Sequence, residues 1–257
     1  MRVLRQLLDA VDAADVCVLA TVVAVRGSAP RRDAARLLLT ASGGRAGTVG
    51  GGEVEAKTLA VAETMLTGPD AAQVIEVPVN CGGTVTVMLE KFAPPRRLLV
   101  IGAGHVGTAV ARAGTHAGYR VTLASPAHAE RVHDLASVEL LATANPAVLA
   151  GWEHPERTHV VVATGDAAAD GAWALAALAR SFAGVGVVGS RNKAEAIRRA
   201  AAAAGIGAAR MAALRCPVGL DLGAVTPEEI AVAIVAELIR LDRTGEVPEG
   251  WRRVSRG

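Results

Sequence analysis

Four stretches of the chain combine residue types that could hold an anion or a soft ligand. The first is Gly102-x-Gly104-x-x-Gly107, which follows an apolar run and precedes a helical pattern. In a strand–turn–helix unit the first glycine permits the tight turn. The second lets a pyrophosphate approach the backbone, and the third lets helix pack on strand. The helix N-terminus then offers N–H groups and a positive dipole to phosphate. A turn of the same shape that binds nothing is the competing reading. A site for NAD usually carries an acid at the end of the second strand, and here that stretch reads Val121-Thr122-Leu123-Ala124-Ser125-Pro126. Ordinary NAD recognition is therefore not expected. Ser125, with His128 or Arg131 nearby, would tolerate a 2′-phosphate, although serine before proline is also an ordinary turn residue.

The second stretch is a pair of loops, Arg26-Gly27-Ser28-Ala29-Pro30-Arg31-Arg32 and Gly47-Thr48-Val49-Gly50-Gly51-Gly52-Glu53-Val54-Glu55. Successive glycines expose successive N–H groups, which makes an anion nest of Gly50, Gly51 and Gly52 at a helix start. Arginines such as Arg26 and Arg31 supply guanidinium forks for phosphate. Glu55, in the first turn of that helix, completes the candidate set. No Gly-Lys-Ser/Thr follows, so this is not a Walker A loop. A plain turn beside solvated arginines fits equally well. The third stretch is Cys81-Gly82-Gly83, where a thiol beside two glycines at a strand end is sterically open. The alternative is the usual fate of a free cysteine, a small buried hydrophobe, which is the expectation for Cys17 and also suits Cys216. The fourth is Gly189-Ser190-Arg191-Asn192-Lys193 at a helix start. Ser190, Arg191 and Lys193 are a second candidate anion site, or else a capped helix with two solvated cations.

The elements that must position these residues follow from periodicity. Residues 1–15 show an amphipathic helical stripe. Strands are expected over 16–25, 36–40, 74–79 and 84–89, and a helix over 53–66. The turn at 41–44 is expected to lead straight into the glycine loop. Residues 1–93 thus read as a small α+β domain. After Pro94 and Pro95 the character changes. Strand signals at 98–101, 119–124, 138–141, 159–163 and 185–188 alternate with helical stretches, so residues 94–257 read as a Rossmann-like parallel-sheet domain. Thr226 and Glu229 form a capping box with Pro227 at the first helical position.

Composition excludes several function classes. The 257 residues carry a formal net charge of +2, which does not suit a nucleic-acid-coating or polybasic membrane protein. Aromatic residues at 2% are too few for single-strand stacking platforms. No apolar run is long enough for a membrane span and no signal peptide is visible. Three scattered cysteines suggest no disulfide framework and a reducing, cytoplasmic compartment.

Taken in order, these motifs resemble the XdhC/CoxI family, the xanthine dehydrogenase accessory factors. The matching pieces are ATVVAVRGSAPR (20–31), GTVGGGEVE (47–55), CGGTVTVMLE (81–90), LLVIGAGHVG (98–107), VGVVGSRNK (185–193) and CPVGLDLGAVTPEEIAVAIVAE (216–237). The resemblance implies an N-terminal cofactor-binding domain followed by a Rossmann-like domain. It implies a non-catalytic cofactor chaperone that binds molybdenum cofactor (molybdopterin) as cargo. It further implies assistance in sulfuration by a cysteine desulfurase, and insertion into a molybdenum hydroxylase apoenzyme of the xanthine dehydrogenase or CO dehydrogenase type. A homodimer is expected as well.

On that reading the anion nests take the cargo's phosphate. Cys81 touches the metal end or carries sulfur transiently, because molybdenum and sulfur both favour a soft thiolate. The sequence departs from the family pattern at three places. Glu53 stands where a cysteine is common, Ala124-Ser125-Pro126 where an aspartate is common, and Thr164-Gly165-Asp166 where Thr-His-Asp is usual, with Asp170 downstream. The alternatives are an NAD(P)-dependent oxidoreductase, for which no Tyr/Lys or His/Asp catalytic set stands out, and a nucleotide-sensing module, with NADP or another nucleotide as the ligand.

Overall fold

The computed structural model describes residues 2–27, 34–79, 82–126, 135 and 137–251. The chain divides into two compact units, Met1–Pro94 and Pro95–Gly257. In the first, helix α1 (Arg2–Asp12) precedes strands β1 (Cys17–Arg26), β2 (Arg36–Thr40) and β3 (Arg45–Gly47). Helix α2 (Gly52–Thr67), β4 (Ala72–Val79) and β5 (Gly83–Phe92) complete the unit. The five strands form one antiparallel sheet in the order β3-β2-β1-β5-β4.

Strand side chains alternate between faces, and the two faces find different partners. Val18, Ala20, Val22 and Leu37 pack with Val54, Ala62 and Met65 of α2. Cys17, Leu19 and Leu38 pack with Leu7 and Ala10 of α1. Strand β3 departs from the expectation of an unbroken loop. It is too short to show a period, and it pairs Leu37 with Gly47 because Gly47 has no side chain. A Cβ there would overlap the carbonyl oxygen of Arg36.

A register shift in the β1–β5 pairing falls between Val22 and Ala24. Such a bulge reverses the facing of the residues beyond it. Val25 accordingly packs in the α2 cluster that even-numbered residues fill earlier in the strand, and Arg26 is turned to the other face.

The second unit contains β6 (Arg97–Ile101), α3 (His105–His116), β7 (Arg120–Ser125), β8 (Glu139–Ala142) and β9 (Thr158–Val162). It continues with α4 (Ala167–Leu178), β10 (Gly184–Val187), α5 (Arg191–Ala203), α6 (Ala208–Met211), β11 (Leu214–Arg215) and α7 (Pro227–Thr244). All six strands run parallel in the order β11-β10-β9-β6-β7-β8. That is the doubly wound arrangement, with its switch point between β6 and β9. Leu98 and Val100 meet α3 and α7 on one face. Leu99 and Ile101 meet α4 and α5 on the other. Burial on both faces explains why these strands read as unbroken apolar runs. The capping box at α7 is present: Thr226 Oγ1 accepts from Glu229 N at 3.2 Å, and a Glu229 carboxylate oxygen accepts from Thr226 N at 3.0 Å. Gly245, at φ 76°, ends the helix in the left-handed region. Among the described residues no helix is long and apolar enough to cross a membrane.

At the amino ends of the parallel strands lies a polar network that the sequence did not announce. Tyr119 donates to Asp242 Oδ2 at 2.6 Å, and His159 Nε2 lies 3.0 Å from Asp242 Oδ1. The guanidinium of Arg96 lies 3.2 Å from the same oxygen. Burial opposes the Asp242 charge, but bonds from His159 and Tyr119 and the nearby Arg96 outweigh it and hold the carboxyl below its usual range. A depressed folded-state value contributes stability that is present above the unfolded aspartate value of about 3.9. That contribution is lost as pH falls through the folded value. We therefore expect unfolding free energy, measured by urea titration, to fall below about pH 4. Asp242→Asn should be less stable at neutral pH and should show a smaller acid-dependent loss.

Candidate functional site

The glycine turn after β6 has the geometry its spacing implies. Gly102 sits at φ 104°, and a Cβ there would lie 2.5 Å from the carbonyl oxygen of Ala163 and 2.8 Å from Thr164 Cα. The turn therefore presses on the loop after β9, across the switch point. A Cβ on Gly107 would overlap the Gly102 carbonyl oxygen, so the third glycine lets α3 pack on the turn. Gly104 differs from both. It is the N-cap of α3 with φ −72°, it lends the helix no side-chain cap, and a Cβ there would meet nothing within 4 Å. Two glycines thus serve packing, and one leaves open space at a helix N-terminus, the face a phosphate would approach.

Strand β7 ends on Ser125, half-buried, with Ala124 buried before it. The ribose-binding acid is missing from the place where a dinucleotide fold puts it. His128 and Arg131 lie outside the described residues.

Next to the switch point, the loops after β9 and β10 are tied together through Asp170. This aspartate of α4 is fully buried. Its Oδ1 accepts from Thr164 N at 3.0 Å and Thr164 Oγ1 at 2.7 Å, and its Oδ2 accepts from Lys193 Nζ at 2.5 Å. Lys193 Nζ also donates to the Val188 carbonyl at 3.1 Å. Ser190 caps α5 by accepting from Lys193 N at 3.3 Å, and Arg191 is exposed. Of the three candidates here, Ser190 does helix-capping work while remaining exposed, Lys193 is drawn inward to an aspartate, and Arg191 is exposed. In the same corner Cys216 Sγ donates to the Ser190 carbonyl at 3.7 Å. Burial pushes its thiol above the usual value against the opposing charges of Lys193 and Arg198. Asp166, in the place of the family's Thr-His-Asp aspartate, caps α4 by accepting from Ala169 N at 2.7 Å.

In the N-terminal unit, Arg26 and Gly27 meet the turn before β5. Arg26 is in register with Thr84. A Cβ on Gly27, at φ 74°, would lie 2.9 Å from the Gly82 carbonyl oxygen and 3.0 Å from Gly83 Cα. The fold therefore brings Arg26, Gly27, Gly82 and Gly83 to one lip of the sheet. Ser28, Arg31, Arg32 and Cys81 lie outside the described residues.

The glycine loop 47–52 leaves the sheet level with Leu37 and Ala20 rather than with Arg26. Its nest already holds an anion supplied by the chain itself. The Glu55 carboxylate accepts from Gly51 N at 3.3 Å and from Thr48 Oγ1, and it pairs with Arg45. The Thr48 hydroxyl, Arg45 and the backbone N–H groups of Gly51 and Val49 hold Glu55 below the usual carboxylate range despite its partial burial. Glu53 is exposed and pairs with Lys57 one turn on, at 2.9 Å. We expect Glu55→Ala to lower stability by about 1 kcal/mol, read as a reduced urea midpoint at pH 7. The destabilisation should fade in acid, where wild-type Glu55 is itself protonated.

Several participants escaped the sequence reading. Arg45 and Thr48 were invisible because nothing marked Glu55 as their target. Thr164 and Asp170 stood only as a departure from a pattern. The sole available signal was Asp170 four residues after the helix-capping Asp166, on the face of α4 that carries Trp173, Ala174 and Ala177 into the core. A charge on an apolar helix face requires a partner.

These features define a two-unit protein whose Rossmann unit keeps its glycine turn and its crevice but lacks the acid that reads NAD. The chain belongs to the XdhC and CoxI family: the model of the XdhC Rossmann domain matches residues 98–238, and the model of the XdhC and CoxI family matches residues 10–76. YqeB of Escherichia coli (strain K12) is 29% identical over 240 residues, which cover 87% of this chain and 43% of YqeB. The chain thus spans less than half the length of that relative. A solved structure from Bacillus halodurans, described as a xanthine dehydrogenase, superposes with a TM-score of 0.52 at 19% identity. It covers 95% of this chain and 98% of its own, a likeness of fold.

Proposed function

We propose that this protein is an accessory factor for a xanthine dehydrogenase-type molybdenum hydroxylase. In this reading it binds molybdenum cofactor as cargo, assists its sulfuration with a cysteine desulfurase, and delivers it to the apoenzyme. The observation that carries the reading is the contrast at the switch point. The phosphate-accepting part of the turn is open at Gly104, while the ribose-reading acid is replaced by Ser125. That suits a phosphate-bearing ligand other than NAD, and family membership supports a pterin cofactor as that ligand. The same lack of an acid leaves NADP as the dinucleotide to test against it. The working form is a homodimer.

The residues divide the labour by their chemistry. In the Rossmann unit, backbone N–H groups at the start of α3 suit a phosphate; in the N-terminal unit, taken by itself, Arg26 at the lip of the sheet is a cation suited to an anionic group. Sulfur handling calls for a reactive thiolate. Cys17 is fully buried, and its thiol is raised by burial and by the charge of Asp15. Cys216 is also buried and raised. Both therefore suit packing, and Cys81 is the residue we assign to the metal end of the cargo. In protein purified anaerobically from a cofactor-producing host, Cys81→Ser should lose bound molybdenum or client activation. Cys17→Ser should keep both if folded. Arg26→Ala should weaken retention about tenfold, as expected for a charge-assisted bond. Full loading and full client activation by Cys81→Ser would remove the thiol from the reading.

A further inference from the structure

Lys193 does not extend into solvent from the start of α5. It folds back over Gly189, where a Cβ would lie 2.6 Å from Lys193 Cδ, and reaches the fully buried Asp170. Both Asp170 oxygens are engaged, one by Lys193 and the other by the backbone and hydroxyl of Thr164. Thr164 in turn lies against Gly102, where an added Cβ would come within 2.8 Å of Thr164 Cα. A continuous chain, Gly102–Thr164–Asp170–Lys193, therefore links the carboxyl ends of β6, β9 and β10 across the switch point.

Stability is a poor reason for this arrangement. A buried ion pair gives up solvation that its attraction barely restores, and an apolar pair of similar size would serve the core as well. An ammonium has three donors. Two are directed at Asp170 and Val188, and the side chain keeps 21% of its exposure. The third donor remains for a ligand, on an ammonium bonded to the aspartate that holds the Thr164 loop the glycine turn touches.

We propose that Asp170 is a positioning residue that fixes Lys193 as a phosphoryl-binding cation at the switch point. A ligand whose phosphoryl group lies at the N-terminus of α3 would meet the remaining Lys193 donor, and Asp170 acts on that ligand only through Lys193. The inference rests on the reading of the crevice as a phosphate site, but not on which cargo carries the phosphate.

The test uses the full chain and inorganic pyrophosphate as the probe, with calorimetry of the wild type, Asp170→Asn, Lys193→Met and the double variant. Each single substitution should weaken binding about tenfold or more. The double variant should bind no worse than Lys193→Met, because Asp170 has nothing left to position. A merely structural Asp170 would cost the same factor in both backgrounds, and that additivity would overturn the proposal. So would wild-type affinity in Lys193→Met, or no pyrophosphate binding by the wild type.

A second measurement avoids folding defects by using the unsubstituted protein. Pyrophosphate should protect Lys193 from an amine-acylating reagent while leaving Lys57 and Lys91 labelled. Unchanged labelling of Lys193 would also overturn the proposal. Coupled, protected Lys193 in a protein that never retains pterin would sink the cargo reading alone. Retained pterin with additive losses would sink this inference alone.

Discussion

Gly107→Ala should strongly destabilise the Rossmann unit, whereas Gly104→Val should leave it folded and empty of ligand. The two glycines are three residues apart in one motif, and their surroundings are opposite. A methyl group on Gly107 overlaps the Gly102 carbonyl oxygen, so either the turn or α3 must move. Overpacking against backbone has no flexible side chain to absorb it, and we expect a loss of about 3 kcal/mol. Gly104 has φ −72°, an ordinary value for any residue, and nothing within 4 Å of a Cβ. Replacement there costs no more than a weaker helix cap, about 1 kcal/mol or less. The isopropyl group would occupy the space a phosphate needs beside the first N–H groups of α3. Thermal unfolding together with pyrophosphate calorimetry separates the two effects. A folded, binding-competent Gly104→Val protein would place the ligand elsewhere.

Glu237→Ala should be the most damaging substitution in α7. Glu237 is 2% exposed, and its carboxylate accepts from Gly219 N at 2.6 Å with Arg215 Nε at 3.7 Å. It anchors the segment after β11 to the last helix. Gly219, at φ 106°, packs so closely that a Cβ would lie 3.3 Å from the Ala233 and Ile234 backbone. Removing one partner of a buried pair leaves a desolvated charge behind, at a cost of about 3–5 kcal/mol. Urea unfolding of Glu237→Ala should show that loss. Glu237→Gln, which keeps an acceptor for Gly219, should recover a substantial part of it.

The parts of the molecule legible from sequence are those governed by periodicity and local stereochemistry. The doubly wound order follows from apolar runs alternating with helices, because strands buried on both faces cannot be written any other way. The Thr226–Glu229 cap is local, spanning one helical turn, and Gly104 and Gly107 likewise have their roles within the turn and the helix it starts. What escaped was set by long-range contact or by a single extra residue. Strand β3 is three residues long and exists because Gly47 can approach Arg36. The β1 bulge reverses the facing of Val25 and Arg26 without any compositional mark.

Charge pairs were the least legible feature. Lys193 reads as a solvated cation until α4 brings Asp170 to it. The glycine loop reads as an anion nest in need of a ligand until Glu55 is seen to fill it. The Tyr119–His159–Asp242 group also looks like catalytic chemistry in isolation. It sits at the amino ends of the strands, away from the carboxyl-end crevice where open α/β sheets bind ligands. Topology decides between the two meanings of the same residue types.

The proposed cargo is a molybdenum-bearing pterin, and the ligand content of the purified protein is the decisive test of it. The protein would be isolated without oxygen from a host that makes the cofactor, and its molybdenum, pterin and nicotinamide contents measured together. Molybdenum and pterin should be found in equal amounts, both lost in Gly104→Val, with no nicotinamide. Bound NADP without pterin or molybdenum would contradict it.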